Sequence, residues 1–321
     1  MTLEAGKRYR VFVRLYSSAT GTFSFYFGEG FTLSYNSNGV TSTMPASETM
    51  EYGLDHAISS ATPTSTSRVF SHWNTEPDGT GVSADPGDII LRPGSNITLY
   101  AIWESNYTIT FEKNTTDSVS NMPGTYNSST GKYTATKTHG TDYWIPSKIP
   151  TRTGYTFVGW GSSPAAMTWT NGPAGMANPF TGGTYEGKYT QDADFTYYAI
   201  WSLNPNTNYT TSALSAGGYQ EYLFLPSATK NYSIFTRAGT ESNKLDPELY
   251  LYNSSGTLLS SNDDDLSNEL DSSEDNNWNA LIRTSLTART MYKIKVTWRN
   301  TSYSGAIPFT LATSHTISLD P

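Results

Sequence analysis

Short runs of alternating apolar and polar residues recur along the whole chain, separated by clusters of Gly, Pro, Asn and Ser. Tyr9, Val11, Val13 and Leu15 form one such run, Phe31, Leu33 and Tyr35 a second, and Tyr292, Ile294, Val296 and Trp298 a third. Successive side chains of a strand point to opposite faces, so each run predicts a strand with one face toward a core. Asn38-Gly39 and Asp78-Gly79 are dipeptides suited to tight turns. No long amphipathic helix is predicted, and residues 52–61 have room for a turn or two at most. The expected class is all-β with very little helix.

Two internal repeats organise the pattern. In the middle of the chain, Phe31-Thr32-Leu33-Ser34-Tyr35 aligns with Tyr107-Thr108-Ile109-Thr110-Phe111. Val69-Phe70-Ser71-His72-Trp73 then aligns with Thr156-Phe157-Val158-Gly159-Trp160, and Leu99-Tyr100-Ala101-Ile102-Trp103 with Tyr197-Tyr198-Ala199-Ile200-Trp201. The second copy carries extra residues on both sides of its central Trp, and its Gly/Pro-rich stretch from Gly172 to Gly187 reads as surface loop. The repeat-equivalent Trp73, Trp103, Trp160 and Trp201 are expected in the two cores. These motifs, with Gly154-Tyr155-Thr156-Phe157-Val158-Gly159-Trp160 and the turn Asn74 to Gly81, resemble the internalin-type B repeat, also called the Listeria–Bacteroides repeat. The resemblance implies tandem β-grasp-like modules over 30–104 and 105–203, of a kind found on bacterial surface proteins.

The second repeat joins the two ends. Leu3, Ala5, Tyr9, Val11, Val13 and Leu15 align at constant offset with Leu286, Ala288, Tyr292, Ile294, Val296 and Trp298. Gly21, Phe23, Phe25 and Phe27 follow, matching Gly305, Ile307, Phe309 and Leu311. Residues 1–29 are therefore expected to be the final hairpin of a β-sandwich whose full copy spans 204–314, with 315–321 a tail. A lone hairpin is marginal in water, so its missing strands are expected upstream of this chain. Asp246-Pro247-Glu248-Leu249-Tyr250-Leu251-Tyr252, Ser261-Asn262-Asp263-Asp264 and the run from Ala288 to Val296 resemble the bacterial pre-peptidase C-terminal domain. That resemblance implies a jelly-roll-like β-sandwich.

Composition narrows the chemistry. The chain has 321 residues, a formal net charge of −8 and no Cys. Without thiols there is no disulfide scaffold, no thiolate metal site and no thiol catalysis. Phosphate binding needs clustered Lys and Arg, which are absent, so no nucleic-acid partner is expected. No apolar run is long enough for a membrane-spanning helix, and no membrane insertion is expected. No apolar signal segment follows Met1, so an export signal is expected outside this chain.

Catalysis has little to stand on: His56, His72, His139 and His315 lie outside any nucleophile, zinc or phosphate motif. The dense carboxylates all fall between Asp246 and Asp275. Calcium takes six to eight oxygen ligands from flexible loops. Asp246, Asp263, Asp264 and Asp265 are thus candidate ligands of a structural calcium, the alternative being a solvated acidic loop. Trp144, Trp169 and Trp278 lie in loop-like segments and are candidates for an exposed aromatic platform, the alternative being packing. The chain reads as a non-catalytic segment of a bacterial cell-surface or secreted protein, a stalk or adhesive spacer whose extracellular partner would be a glycan or a protein. The alternative is an ancillary glycan- or protein-binding module of a secreted hydrolase such as a peptidase.

Overall fold

The computed structural model describes residues 30–181, 183–237, 245–264, 278–300 and 302–313, with residues 9, 21 and 22 besides. The hairpin expected over 1–29, Asp265 with the rest of the acidic insert, and the tail lie outside the described residues. All regular structure among the described residues is strand, and the class is all-β. The chain divides into two compact units, 1–104 and 105–321.

In the first unit, β1 (Phe31–Asn36) pairs parallel with β7 (Ile97–Ser105) and antiparallel with β2 (Glu48–Met50). The five-stranded sheet is completed by β4 (Arg68–Asn74) and β5 (Ser83–Ala84), in the order β2-β1-β7-β4-β5. A separate ribbon joins β3 (His56–Ala57) to β6 (Ile89–Ile90). Alternation puts Leu33, Met50, Trp73, Leu99 and Ala101 on one inward face, where they form the core. The turn after β4 is pinned by the buried side chain of Asn74. Its Oδ1 accepts from the Glu76 amide at 2.9 Å, and its Nδ2 donates to the Gly79 carbonyl at 3.2 Å. Gly79 sits at φ 79°, a conformation L side chains rarely adopt.

The second unit begins with the same plan. The strands are β8 (Tyr107–Glu112), β9 (Thr125–Asn127), β10 (Lys132–Lys137), β11 (Tyr143–Trp144), β12 (Tyr155–Gly161), β13 (Lys188–Tyr189) and β14 (Phe195–Leu203). β8 pairs parallel with β14 and antiparallel with β10, as β1 does with β7 and β2. The likeness reaches individual hydrogen bonds. The amides of Thr32 and Thr108 donate to Asn96 Oδ1 at 2.8 Å and Asp194 Oδ1 at 2.7 Å. Trp103 and Trp201 donate through Nε1 to the carbonyls of Ser37 and Lys113. Asn38 and Asn114 both sit at φ 53° and donate to the carbonyls of Pro77 and Pro164. Trp73, Trp160 and Trp201 are buried as expected, whereas Trp103 is half-buried at the rim of its core.

Two expectations need correction. The stretch from Gly172 to Gly187 is not a loose surface loop: it folds back so that Tyr185 is buried and donates to the Val158 carbonyl at 2.7 Å. Val158 is the bulge residue of β12, whose pairing with β14 shifts register between Phe157 and Gly159. A Cβ on Gly172 would overlap the Tyr185 ring, so glycine permits the close approach.

The C-terminal sandwich shares a sheet with the second module. Its strands are β15 (Thr207–Thr210), β16 (Tyr219–Phe224), β17 (Lys230–Thr236), β18 (Pro247–Asn253), β19 (Leu258–Asn262), β20 (Leu281–Leu286), β21 (Tyr292–Trp298) and β22 (Pro308–Ala312). One sheet, β15-β22-β17-β20, faces another, β19-β18-β21-β16. The latter continues through a parallel pairing of Leu223 on β16 with Ser202 on β14, making one nine-stranded sheet.

The second correction is at the C-terminal end, where β21 and β22 do not form a hairpin. β21 pairs with β16 and β18, while β22 pairs with β15 and β17 in the opposite sheet. Ile294, Val296, Phe309 and Leu311 are all buried, and two apolar faces cover each other by stacking across a sandwich, not by lying side by side.

Candidate functional site

The outward face of the sandwich sheet is built by the strands whose inner positions make the core. On β18, Pro247, Leu249 and Leu251 turn inward, so Glu248, Tyr250 and Tyr252 turn outward. On β21 the outward residues are Lys293 and Lys295, which register opposite Tyr252 and Tyr250. Glu221 and Tyr219 on β16 extend the face, and Tyr219 is well exposed. Lys295 Nζ lies 4.5 Å from the Tyr219 ring centre and 5.0 Å from that of Tyr250. Lys293 Nζ lies 5.2 Å from the Tyr252 ring and 2.8 Å from Glu221 Oε1. Tyr250 and Tyr252 run nearly parallel, with ring centres 6.3 Å apart. The hydrogen bond to Glu248 and partial burial push the Tyr250 phenol up to about 12. The result is a field of aromatic faces interleaved with charged hydrogen-bonding groups, which suits sugar rings or an extended polypeptide. Tryptophans in loop-like segments are the more visible aromatic signal in the sequence, and these strand tyrosines are not among the candidates it offers. The signal was present as the strict alternation of β18.

The three candidate tryptophans do not form a platform. Trp144 is exposed, with Lys188 Nζ 5.8 Å from its ring. Trp169 stacks on Phe180 at 3.7 Å and packs on Val158, Ile200 and Met291, at the joint between the second module and the sandwich. Trp278 is half-buried beside the buried Asn279 and Ala280. No ring contact joins any two of the three among the described residues.

Asp246, Asp263 and Asp264 do converge, on Arg299. Its Nη1 contacts Asp263 Oδ2 most closely, with Asp264 Oδ2 at 3.5 Å and Asp246 Oδ2 at 4.0 Å. Asp246 Oδ1 is buried without a hydrogen-bond partner. Burial, then the Asp264 charge, push the Asp246 carboxyl up to about 6 against the opposing pull of Arg299. An orphaned carboxylate oxygen fits a cation. Nevertheless, no three acidic or His groups among the described residues are arranged to hold a metal, and the guanidinium supplies the positive charge.

A second ionic cluster escaped the sequence reading. Lys137 has a fully buried side chain whose Nζ lies 2.5 Å from Asp192 Oδ1. The Gly140 amide donates to both Asp192 oxygens at 3.2 Å, and His139 Nδ1 stands 3.5 Å from Oδ2. The hydrogen bond from Lys137 chiefly holds the Asp192 carboxyl below the usual carboxylate range. Its two key residues lie 55 positions apart, with no motif to link them. The other described histidines serve local structure. His56 Nε2 lies 2.8 Å from Glu48, which also accepts from Tyr35, and the half-buried His72 pairs with its exposed neighbour Ser71 at 3.1 Å.

Residues 31–102 and 107–178 each match the family model of the Listeria-Bacteroides repeat domain. A protein of Evansella cellulosilytica, whose name describes it as a Gly-rich membrane protein, is 36% identical over 93 residues. That match covers 29% of this chain and only 9% of the relative's length. The pre-peptidase C-terminal domain of a collagenase from Bacillus anthracis aligns with 34% of this chain and 91% of its own, at 12% identity and a TM-score of 0.27.

Proposed function

We propose that this chain, with its two tandem Listeria–Bacteroides repeats, is a non-catalytic spacer of a bacterial cell-surface or secreted protein. The supporting observation is the continuous sheet from β9 to β19, which ties the second repeat to the sandwich through β14 and β16. Packing of Trp169, Phe180 and Met291 reinforces the joint. A spacer needs joints between its parts and no reacting groups. Single-molecule pulling on the chain tests this reading: the second repeat and the sandwich should give way together. Two well-separated force peaks from residues 105–313 would show the joint to be a flexible linker and remove the argument.

The Tyr/Lys face favours a second reading, an ancillary glycan- or protein-binding module of a secreted hydrolase. Aromatic anchors carry much of the energy of such surfaces. Retention on insoluble polysaccharides or fibrous protein that is lost in a Tyr250→Ala, Tyr252→Ala double variant supports it. Equal retention of wild type and variant removes it.

A further inference from the structure

Strand β14 changes partners along one side. It pairs with β8 from Phe195 to Tyr198 and with β16 at Ser202. Both partners overlap the span of β12, which holds the opposite side from Tyr198 to Leu203, so β8 and β16 share one edge. Between them no strand pairs with this edge, and the Asn114 side chain donates to the Ala199 carbonyl at 3.0 Å. There β8 has ended, the chain turns away at Asn114, and β16 has not yet closed in. A groove of about 480 Å³ fills this gap, within the size range of small-molecule sites.

The groove is polar and its charges are internally balanced. Arg152 bonds to Asp117 Oδ2 through Nε at 2.8 Å and Nη2 at 2.6 Å, and its guanidinium lies 3.5 Å from the Tyr155 ring centre. Glu221 is paired with Lys293. Gln220 Oε1 accepts from the amide and hydroxyl of Ser212 at 2.8 and 3.0 Å, which aims its amide nitrogen elsewhere. Tyr222 is 6% exposed, and its hydroxyl has no hydrogen-bond partner. Tyr222 is among the residues that line the groove, and its hydroxyl is buried behind that lining. A buried hydroxyl left unpaired costs free energy that a ligand's hydroxyl, or a water it orders, would recover.

We infer that this groove binds a neutral polyhydroxylated ligand, a sugar residue of a glycan. The lining residues are mixed donors and acceptors: Asp117, Arg152, Gln220 and Tyr222. Sugar hydroxyls both donate and accept. With each charge already neutralised, neither a free anion nor a free cation finds an uncompensated partner. This goes beyond the spacer reading and holds or fails independently of it.

The test is an amide-chemical-shift titration of the full chain with methyl α-glucoside, galactose, mannose and N-acetylglucosamine, to about ten times a millimolar Kd. At least one sugar should shift the amides around Gln220 and Thr116. Gln220→Glu keeps the acceptor for Ser212 but replaces the donor, and should weaken binding about tenfold. Tyr222→Phe should weaken it at least about threefold while leaving the melting temperature unchanged or higher. Trp144→Ala should change nothing. No shift at the groove with any sugar, shifts that both groove variants leave intact, or tighter binding of glucuronate or sulfate than of the neutral sugars would each overturn the inference.

Discussion

Trp73 and Trp160 stand at equivalent positions, and both are fully buried with an indole N–H that lacks a partner. Each side chain therefore contributes through packing and works against the cost of a buried orphan donor. Trp160→Ala should destabilise the second unit by about 3–5 kcal/mol, while Trp160→Phe, which removes the orphan, should cost clearly less. Urea midpoints of the two variants check the order. Lys137 and Asp192 invite an asymmetric comparison. Removing the partly exposed Asp192 strands a buried ammonium, whereas Lys137→Met leaves a carboxylate that water can reach. Asp192→Ala should therefore lower the urea midpoint more than Lys137→Met. Asp246 carries a pH signature. Its folded pKa, about 6, lies above the ordinary carboxylate value, so the native state holds the proton more tightly. Its stabilising contribution is complete below about pH 4 and is lost as pH rises through about 6. The stability difference between wild type and Asp246→Asn, followed by melting from pH 4 to 7, should change in that window. If calcium sits at Asp246, it should restore stability at pH 7, by about 2.7 kcal/mol at a hundredfold excess over Kd. Equal melting in calcium and in chelator leaves Arg299 as the counter-charge among the described residues.

At the scale of elements, strand positions were legible wherever a run alternated: β1, β8, β18 and β21 all fall on such runs. Pairing was not legible. The alternation of β21 and β22 predicts two amphipathic strands equally well as a hairpin or as opposite walls of a sandwich. The insert of the second repeat was misread for a related reason. Gly and Pro mark turns locally, but only packing decides whether a turn-rich segment lies over a core, as Tyr185 does. The joint between β14 and β16 rests on little ladder, so single contacts count. Ser202 Oγ accepts from the Leu225 amide at 2.9 Å and is itself buried. Ser202→Ala strands that amide, at a cost of about 1–3 kcal/mol. Hydrogen exchange at Leu225 should speed up in the variant, and unchanged protection would place the strength of the joint elsewhere.

At the scale of the whole molecule, the continuous sheet couples parts that the sequence separates into repeat and sandwich. Destabilising the second repeat at Trp160 should therefore also weaken hydrogen-exchange protection at Tyr232 and Ile234 in the sandwich core, though neither belongs to the repeat's own core. Full protection there would mean the two parts open independently. What the sequence by itself determined was local and periodic. It set the all-β class, from side-chain alternation. It set the two central repeats, from matching motifs that make matching hydrogen bonds at Asn38 and Asn114 or Trp103 and Trp201. It set most of the core tryptophans, because a repeated large aromatic implies a repeated pocket. Only the tertiary structure decided which strands share a sheet, where β14 exchanges β8 for β16, and which distant polar groups meet. Lys137 with Asp192, Asp246 with Arg299, and Tyr222 beneath the groove depend on contacts between residues far apart in the chain. Such contacts follow from how faces are covered, and alternation says only that a face needs a cover, not which segment provides it.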